Sequence, residues 1–151
     1  MTNHTHLLLR KETVPIATVM RRLLTGYAVS FNRRHRRSGH LFQNRYKSIV
    51  CEEDPYLLEL VRYIHLNPLR ARIVDEIKAL NNDTYCGQSA IMGNVIHGFQ
   101  DIDYVLNLFG GKIAQAKRHY LEFVKKGISQ GRRADLTGGG LVRSAGGWAA
   151  L

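Results

Sequence analysis

Apolar residues in the first third of the chain fall into short, distinct patterns. His4–Leu9 begins by alternating polar and apolar residues and ends in Leu7-Leu8-Leu9. That pattern predicts a strand buried on both faces at its end. Ile16, Val19, Met20, Leu23, Leu24, Tyr27 and Phe31 recur at spacings of three and four. They form an amphipathic stripe on a helix from Pro15 to about His35, with the proline in its first turn. Ser38-Gly39 marks a turn. From Arg45 to Cys51, Tyr46, Ser48 and Val50 alternate with Lys47, Ile49 and Cys51, which predicts a second strand. Asp54-Pro55 is a helix start, with aspartate as N-cap and proline at the first helical position. Leu57, Leu60, Val61 and Ile64 give that helix its apolar arc. It is expected to run to about Leu66 and to stop near Asn67-Pro68, because a residue before proline disfavours the α region.

Beyond the second helix the pattern weakens. Residues 81–100 contain Gly87, Gly93 and Gly98 and read as a linker with short turns. Asp101–Phe109 and Lys112–Lys126 read as helices, the second presenting Ile113, Ala116, Tyr120, Phe123 and Val124 on one face. After Gly127 the chain is rich in glycine, with Trp148 near its end. The expected organisation is α+β: a core over 1–80, a linker over 81–100, a helical extension over 101–128 and a flexible Gly-rich tail over 129–151.

Charge narrows the class of partner. The 151 residues carry 22 Lys+Arg against 12 Asp+Glu, a net charge of +10. Ten of the cations lie between Arg10 and Lys47, where Glu12 is the lone acid. Arginine, which dominates this block, is the side chain best shaped for phosphate. A polyanion, with nucleic acid first, is the expected partner. Neither a transmembrane segment nor a signal peptide is visible. Two distant cysteines, Cys51 and Cys86, exclude a disulfide scaffold and a cysteine zinc site, and fit a reducing cytosol.

Two sets of residues carry candidate chemistry. His4 and His6 flank Thr5, and in a strand both imidazoles project to one side, where they can share a divalent metal. Two polar residues on a solvated strand face are the plainer alternative. On the helix after Asp54, Tyr63 and Asn67 are four residues apart and share a face. Tyr56 lies within roughly 20° of Tyr63 around the helix axis. Tyr63 therefore rides at the border of the apolar arc, as a core tyrosine or as a hydroxyl reaching a cleft.

Four motifs, taken in order, resemble one family. They are Asn3-His4-Thr5-His6-Leu7-Leu8-Leu9, Phe31-Asn32-Arg33-Arg34-His35, Gly39-His40-Leu41-Phe42-Gln43-Asn44-Arg45-Tyr46-Lys47 and Tyr63-Ile64-His65-Leu66-Asn67-Pro68-Leu69-Arg70-Ala71. Together they resemble the REP-associated tyrosine transposases, bacterial relatives of the HUH single-strand DNA transposases, densely from Thr2 to about Val74. The resemblance implies an incomplete ferredoxin-like HUH domain: His-x-His strand, helix, strand and Tyr-bearing helix, followed by a helical C-terminal extension. It implies Tyr63 as nucleophile, and His4, His6 and Asn67 as ligands of Mg²⁺ or Mn²⁺. It implies metal-dependent nicking and joining of single-stranded or hairpin DNA through a 5′-phosphotyrosine. Arg21, Arg22, Arg33, Arg34, Arg36, Arg37, His40, Gln43, Arg45 and Lys47 would hold the DNA. The setting would be the bacterial cytoplasm, at the nucleoid, and the choice between monomer and dimer stays open.

Family members carry about two strands and a helix before the His-x-His strand, and Met1 stands where they have an internal methionine. The chain is therefore expected to be an N-terminally truncated copy whose two strands have lost the strand between them. Two alternatives compete with the catalytic reading. One is a non-catalytic nucleic-acid-binding remnant of such a transposase. The other is a helical regulator using Val14–His35 on duplex DNA, which leaves His4, His6, Tyr63 and Asn67 without a role.

Overall fold

The computed structural model describes residues 3–10, 12–50 and 55–131. Among them every regular element is helical. The described residues fall into two compact units, one from residues 1–8 together with those from Val50 onward, the other Leu9–Ile49.

The second unit is built on α1, Ile16–Arg34. Pro15 precedes it, and its carbonyl accepts from the Thr18 and Val19 amides at 2.9 and 3.2 Å. No side chain caps this end. Arg33 and Arg34 lie in the last turn, where cations complement the helix dipole. The helix ends in a reversal through Arg36, whose φ is +50°, and Gly39, whose φ is +90°. The Asn32 amide closes that turn by donating to the Gly39 carbonyl at 3.0 Å. Only part of the apolar stripe is covered. Met20 is buried and Ile16, Leu24 and Phe31 are half-buried, but Val19, Leu23 and Tyr27 are exposed.

The first unit is a helical body. Its elements are α2 (Pro55–Arg70), α3 (Ile77–Leu80), α4 (Gly87–Met92), α5 (Ile102–Asn107) and α6 (Ile113–Lys126), closed by a 3₁₀ turn at Ile128–Gln130. One core joins them: Val61 and Leu66 of α2, Leu80, Cys86, Ile91, Leu106, and Ala116, Tyr120 and Val124 of α6. The four-residue spacing on α6 puts its three buried residues on one stripe against α2. Asp101 caps α5 by accepting from the Tyr104 amide at 3.1 Å. Gly93, at φ +88°, ends α4 in the left-handed region, and Lys117 donates to the Met92 carbonyl there at 2.9 Å.

Three expectations are corrected here. The α+β, ferredoxin-like sheet is absent: no described residue is in a strand. Residues 4–9 and 45–49 make no backbone–backbone hydrogen bond with other described residues, and Leu7, Leu8 and Leu9 are exposed. Alternation fixes which side chains share a face, but a strand exists only where a neighbouring backbone completes the ladder. No described segment does so. Second, α2 does not stop before Pro68 but carries it inside and runs to Arg70. Proline removes one donor, yet the Ala71 amide still donates to Asn67 and the Ile73 amide to Pro68, at 2.8 and 2.9 Å. Packing of Leu66 and Leu69 in the core holds the last turn in place. Third, residues 81–100 are no linker among helices, since Cys86, Gln88, Ser89, Ala90 and Ile91 are all buried. Asp54, Cys51 and residues 132–151, including Trp148, lie outside the described residues.

Candidate functional site

Within the first unit the N-terminal segment brings its histidines to α2. The rings of His4 and His6 stand edge to face with centroids 5.1 Å apart. The His6 ring stands edge to face with Tyr63 at 5.7 Å. Tyr63 is half-buried. The guanidinium carbon of Arg70 lies 5.5 Å from the centroid of the Tyr63 ring. Arg70 also donates to the Gly127 carbonyl at 3.3 Å, which ties this end of α2 to the end of α6. His4, His6 and Tyr63 are thus in one cluster. Asn67, one turn beyond Tyr63, is buried, and its side-chain nitrogen has no hydrogen-bond partner among the described residues.

The histidine contacts bear on what the pair can bind. His4 Nδ1 lies 2.7 Å from the Asn3 side-chain oxygen. That oxygen can only accept, so Nδ1 donates to it and Nε2 is not used in this bond. Burial, and then the neighbouring His4, hold the His6 imidazole below its ordinary pKa and therefore neutral. Neutral imidazole is the form that binds metal. Among the described residues no group of three or more His, Cys, Asp or Glu converges to hold an ion.

The far face of α2 is occupied by structural contacts. His65 is buried, with Nδ1 2.7 Å from the Tyr120 hydroxyl. Burial pushes its pKa down to about 4 and pushes that of Tyr120 up. The Cys86 thiol, pushed up to about 11 by burial, donates to the His65 carbonyl at 3.7 Å. Arg62 pairs with Glu59, stacks over the Phe123 ring at 4.3 Å and donates to Gln130 at 2.9 Å.

In the second unit Arg21, Arg22, Arg33, Arg34, Arg36, Arg37, His40, Gln43, Arg45 and Lys47 are all exposed. Among the described residues, the one carboxylate paired within this unit is Glu12, 3.9 Å from Arg10. Arg70 stands in the fourth motif read from the sequence, but no role is assigned to it there. Its position, seven residues after Tyr63, puts it two turns along the same face, and that spacing is the signal that could have found it. Tyr27 and Phe31 are likewise hidden within an expected core stripe, and Phe42, which meets Tyr27 at 6.1 Å, lies outside it.

The first unit thus holds a histidine pair against a tyrosine, and the second carries the exposed arginines. Residues 1–67 match the family described as Transposase IS200 like. The similarity to the IS200-like transposases covers that segment, somewhat less than half of the chain. Neither a curated protein nor a solved structure matches it. No helix among the described residues is long and apolar enough to cross a membrane.

Proposed function

We propose that the chain nicks and rejoins single-stranded or hairpin DNA with Tyr63 as nucleophile, in the manner of the REP-associated branch of its family. The observation that carries this is the approach of His6 to Tyr63 at 5.7 Å, inside the segment that matches the family. The Tyr63 oxygen attacks the scissile phosphorus, forming a tyrosine–phosphate bond as the bond from phosphorus to the 3′ oxygen breaks. The phenolic proton passes to solvent or a base, and the leaving oxygen takes one up to become a 3′-hydroxyl. Because the phosphotyrosine conserves the bond energy, a 3′-hydroxyl can attack it in turn and reseal a strand without ATP. His4 and His6 would hold a divalent ion, Mg²⁺ or Mn²⁺, with Asn67 as the proposed third ligand; the ion's chemistry is to polarise the phosphate. Two imidazoles favour Mn²⁺ on ligand softness. The arginine-rich unit binds the DNA backbone.

The test is a covalent adduct. A hairpin oligonucleotide labelled at its 3′ end is incubated with the chain and Mn²⁺, and the products are run on a denaturing gel. The expected result is a labelled protein band that Tyr63→Phe abolishes and Tyr56→Phe leaves intact. An undiminished band from the Tyr63→Phe protein removes the assignment. If the chain gives no adduct yet binds the oligonucleotide, the non-catalytic binding alternative takes its place.

A further inference from the structure

Tyr27, Ser30, Phe31 and Arg34 follow one another at spacings of three, one and three, so they share one face of α1. With His35 they line a cavity of about 240 Å³. The Tyr27 ring is 6.0 Å from Phe31 and 6.1 Å from Phe42, and Phe31 is 4.2 Å from His35. The Arg37 guanidinium lies 5.9 Å from the Phe31 centroid. Tyr27 is 55% exposed and Phe42 41%. Aromatic rings packed against one another yet open to water, and rimmed by arginines, are unlike an ordinary apolar core edge. The unit that holds them, Leu9–Ile49, carries ten cations and one acid. Its charge therefore calls for an anionic ligand, while its rings call for a flat one.

We infer that this cluster is a subsite for one unpaired nucleotide of a DNA strand. The base stacks on the exposed Tyr27 ring, which Phe31 and Phe42 back, and the Arg34 guanidinium takes the adjoining phosphate. Every base has a π-face, so the site is tolerant of sequence but selective for unpaired over paired nucleotides. The Ser30 hydroxyl, able both to donate and to accept, meets the base edge. This subsite rests on the reading of the arginine-rich unit as a DNA surface and adds to it the place on α1 where one unpaired base is held.

The experiment uses the full chain and a single-stranded oligonucleotide carrying one 2-aminopurine, whose fluorescence is quenched when it stacks. Quenching on binding is expected. Tyr27→Ala should relieve it and weaken binding by roughly tenfold or more, whereas Tyr27→Phe should retain both. Tyr27→Ala should leave the salt dependence of binding unchanged, because an aromatic ring releases no counterions. Arg34→Gln should lower its slope by about 0.7. Binding without quenching, or undiminished affinity in Tyr27→Ala, overturns the subsite while leaving the Tyr63 adduct and the proposed function untouched. Loss of self-association in Tyr27→Ala with DNA binding intact would assign the face to a second copy of the chain and equally overturn it. If the intact chain binds no oligonucleotide, the DNA-surface reading and the subsite fall together.

Discussion

Acidification from pH 7 to pH 4 should unfasten the helical body through a single buried ring. His65 of α2 is buried beside Gly87 of α4 and Tyr120 of α6, and its Nδ1 lies 2.7 Å from the Tyr120 hydroxyl. In the folded chain its pKa is pushed from 6.5 down to about 4, because burial penalises the charged form. The unfolded chain therefore binds the proton first as pH falls. Stability from this group is fully present above about 6.5, declines below it, and is exhausted below about 4. Each pH unit between the two values is worth about 1.4 kcal/mol, so the whole effect is about 3 kcal/mol, of which about 2 kcal/mol is lost by pH 5. His6, also held low, works in the same direction, so a variant is needed to isolate His65. Urea unfolding followed by far-ultraviolet circular dichroism at pH 7, 6 and 5 measures the loss. His65→Gln, whose amide can still meet the Tyr120 hydroxyl, should flatten most of the dependence. A wild-type stability that is level from pH 7 to pH 5, or an equal slope in His65→Gln, would refute the reasoning.

Two further outcomes follow from packing and charge. A methyl group at Gly87 would stand 2.7 Å from His65 Nε2 and 3.2 Å from the Gln100 side-chain nitrogen. Gly87→Ala should therefore destabilise by about 1–3 kcal/mol in urea unfolding, whereas Gly98→Ala, with nothing within 4 Å, should stay within about 0.5 kcal/mol of the parent. Arg33→Gln combined with Arg45→Gln should weaken single-strand binding at low salt and reduce the salt slope by about 0.7 for each phosphate no longer neutralised, measured by fluorescence anisotropy.

The helices are legible where one face meets water. On α6 the spacing announces the burial of Ala116, Tyr120 and Val124, with Phe123 half-buried beside them, but Ile113, on the same expected face, is exposed. α4 is not legible, because a six-residue helix with Gln88, Ser89, Ala90 and Ile91 all buried shows too little periodicity to reveal a face. The end of α2 is hidden too, because local proline chemistry points one way and the tertiary packing of Leu66 and Leu69 overrides it. The strands fail for a different reason: pairing is a property of two segments, and alternation within one cannot supply the other. On the site, the strand from which His4 and His6 were expected to share a side is absent, and their rings meet edge to face, 5.1 Å apart, without it. The border position of Tyr63 on α2 follows from helical geometry alone. What spacing cannot show is that Tyr27, in the middle of a good amphipathic stripe, lies open to water.

The family match ends at Asn67, but the placement of Tyr63 depends on what comes after. α2 has two working faces. One carries Tyr63 toward His6. The other carries Val61, Arg62, His65 and Leu66 into contacts with Leu80, Ile91, Tyr120, Phe123 and Gln130, every one of which lies beyond the match. A sixteen-residue helix is marginal in water by itself, so its stability comes from that packed face. The guanidinium of Arg70 joins the two faces, lying 5.5 Å from the Tyr63 ring while donating to the Gly127 carbonyl at the end of α6. The helical residues after Asn67 are therefore part of what holds the tyrosine against the histidine pair. A substitution in α6 that never approaches the site can act on it through α2, by moving the rail on which Tyr63 is mounted.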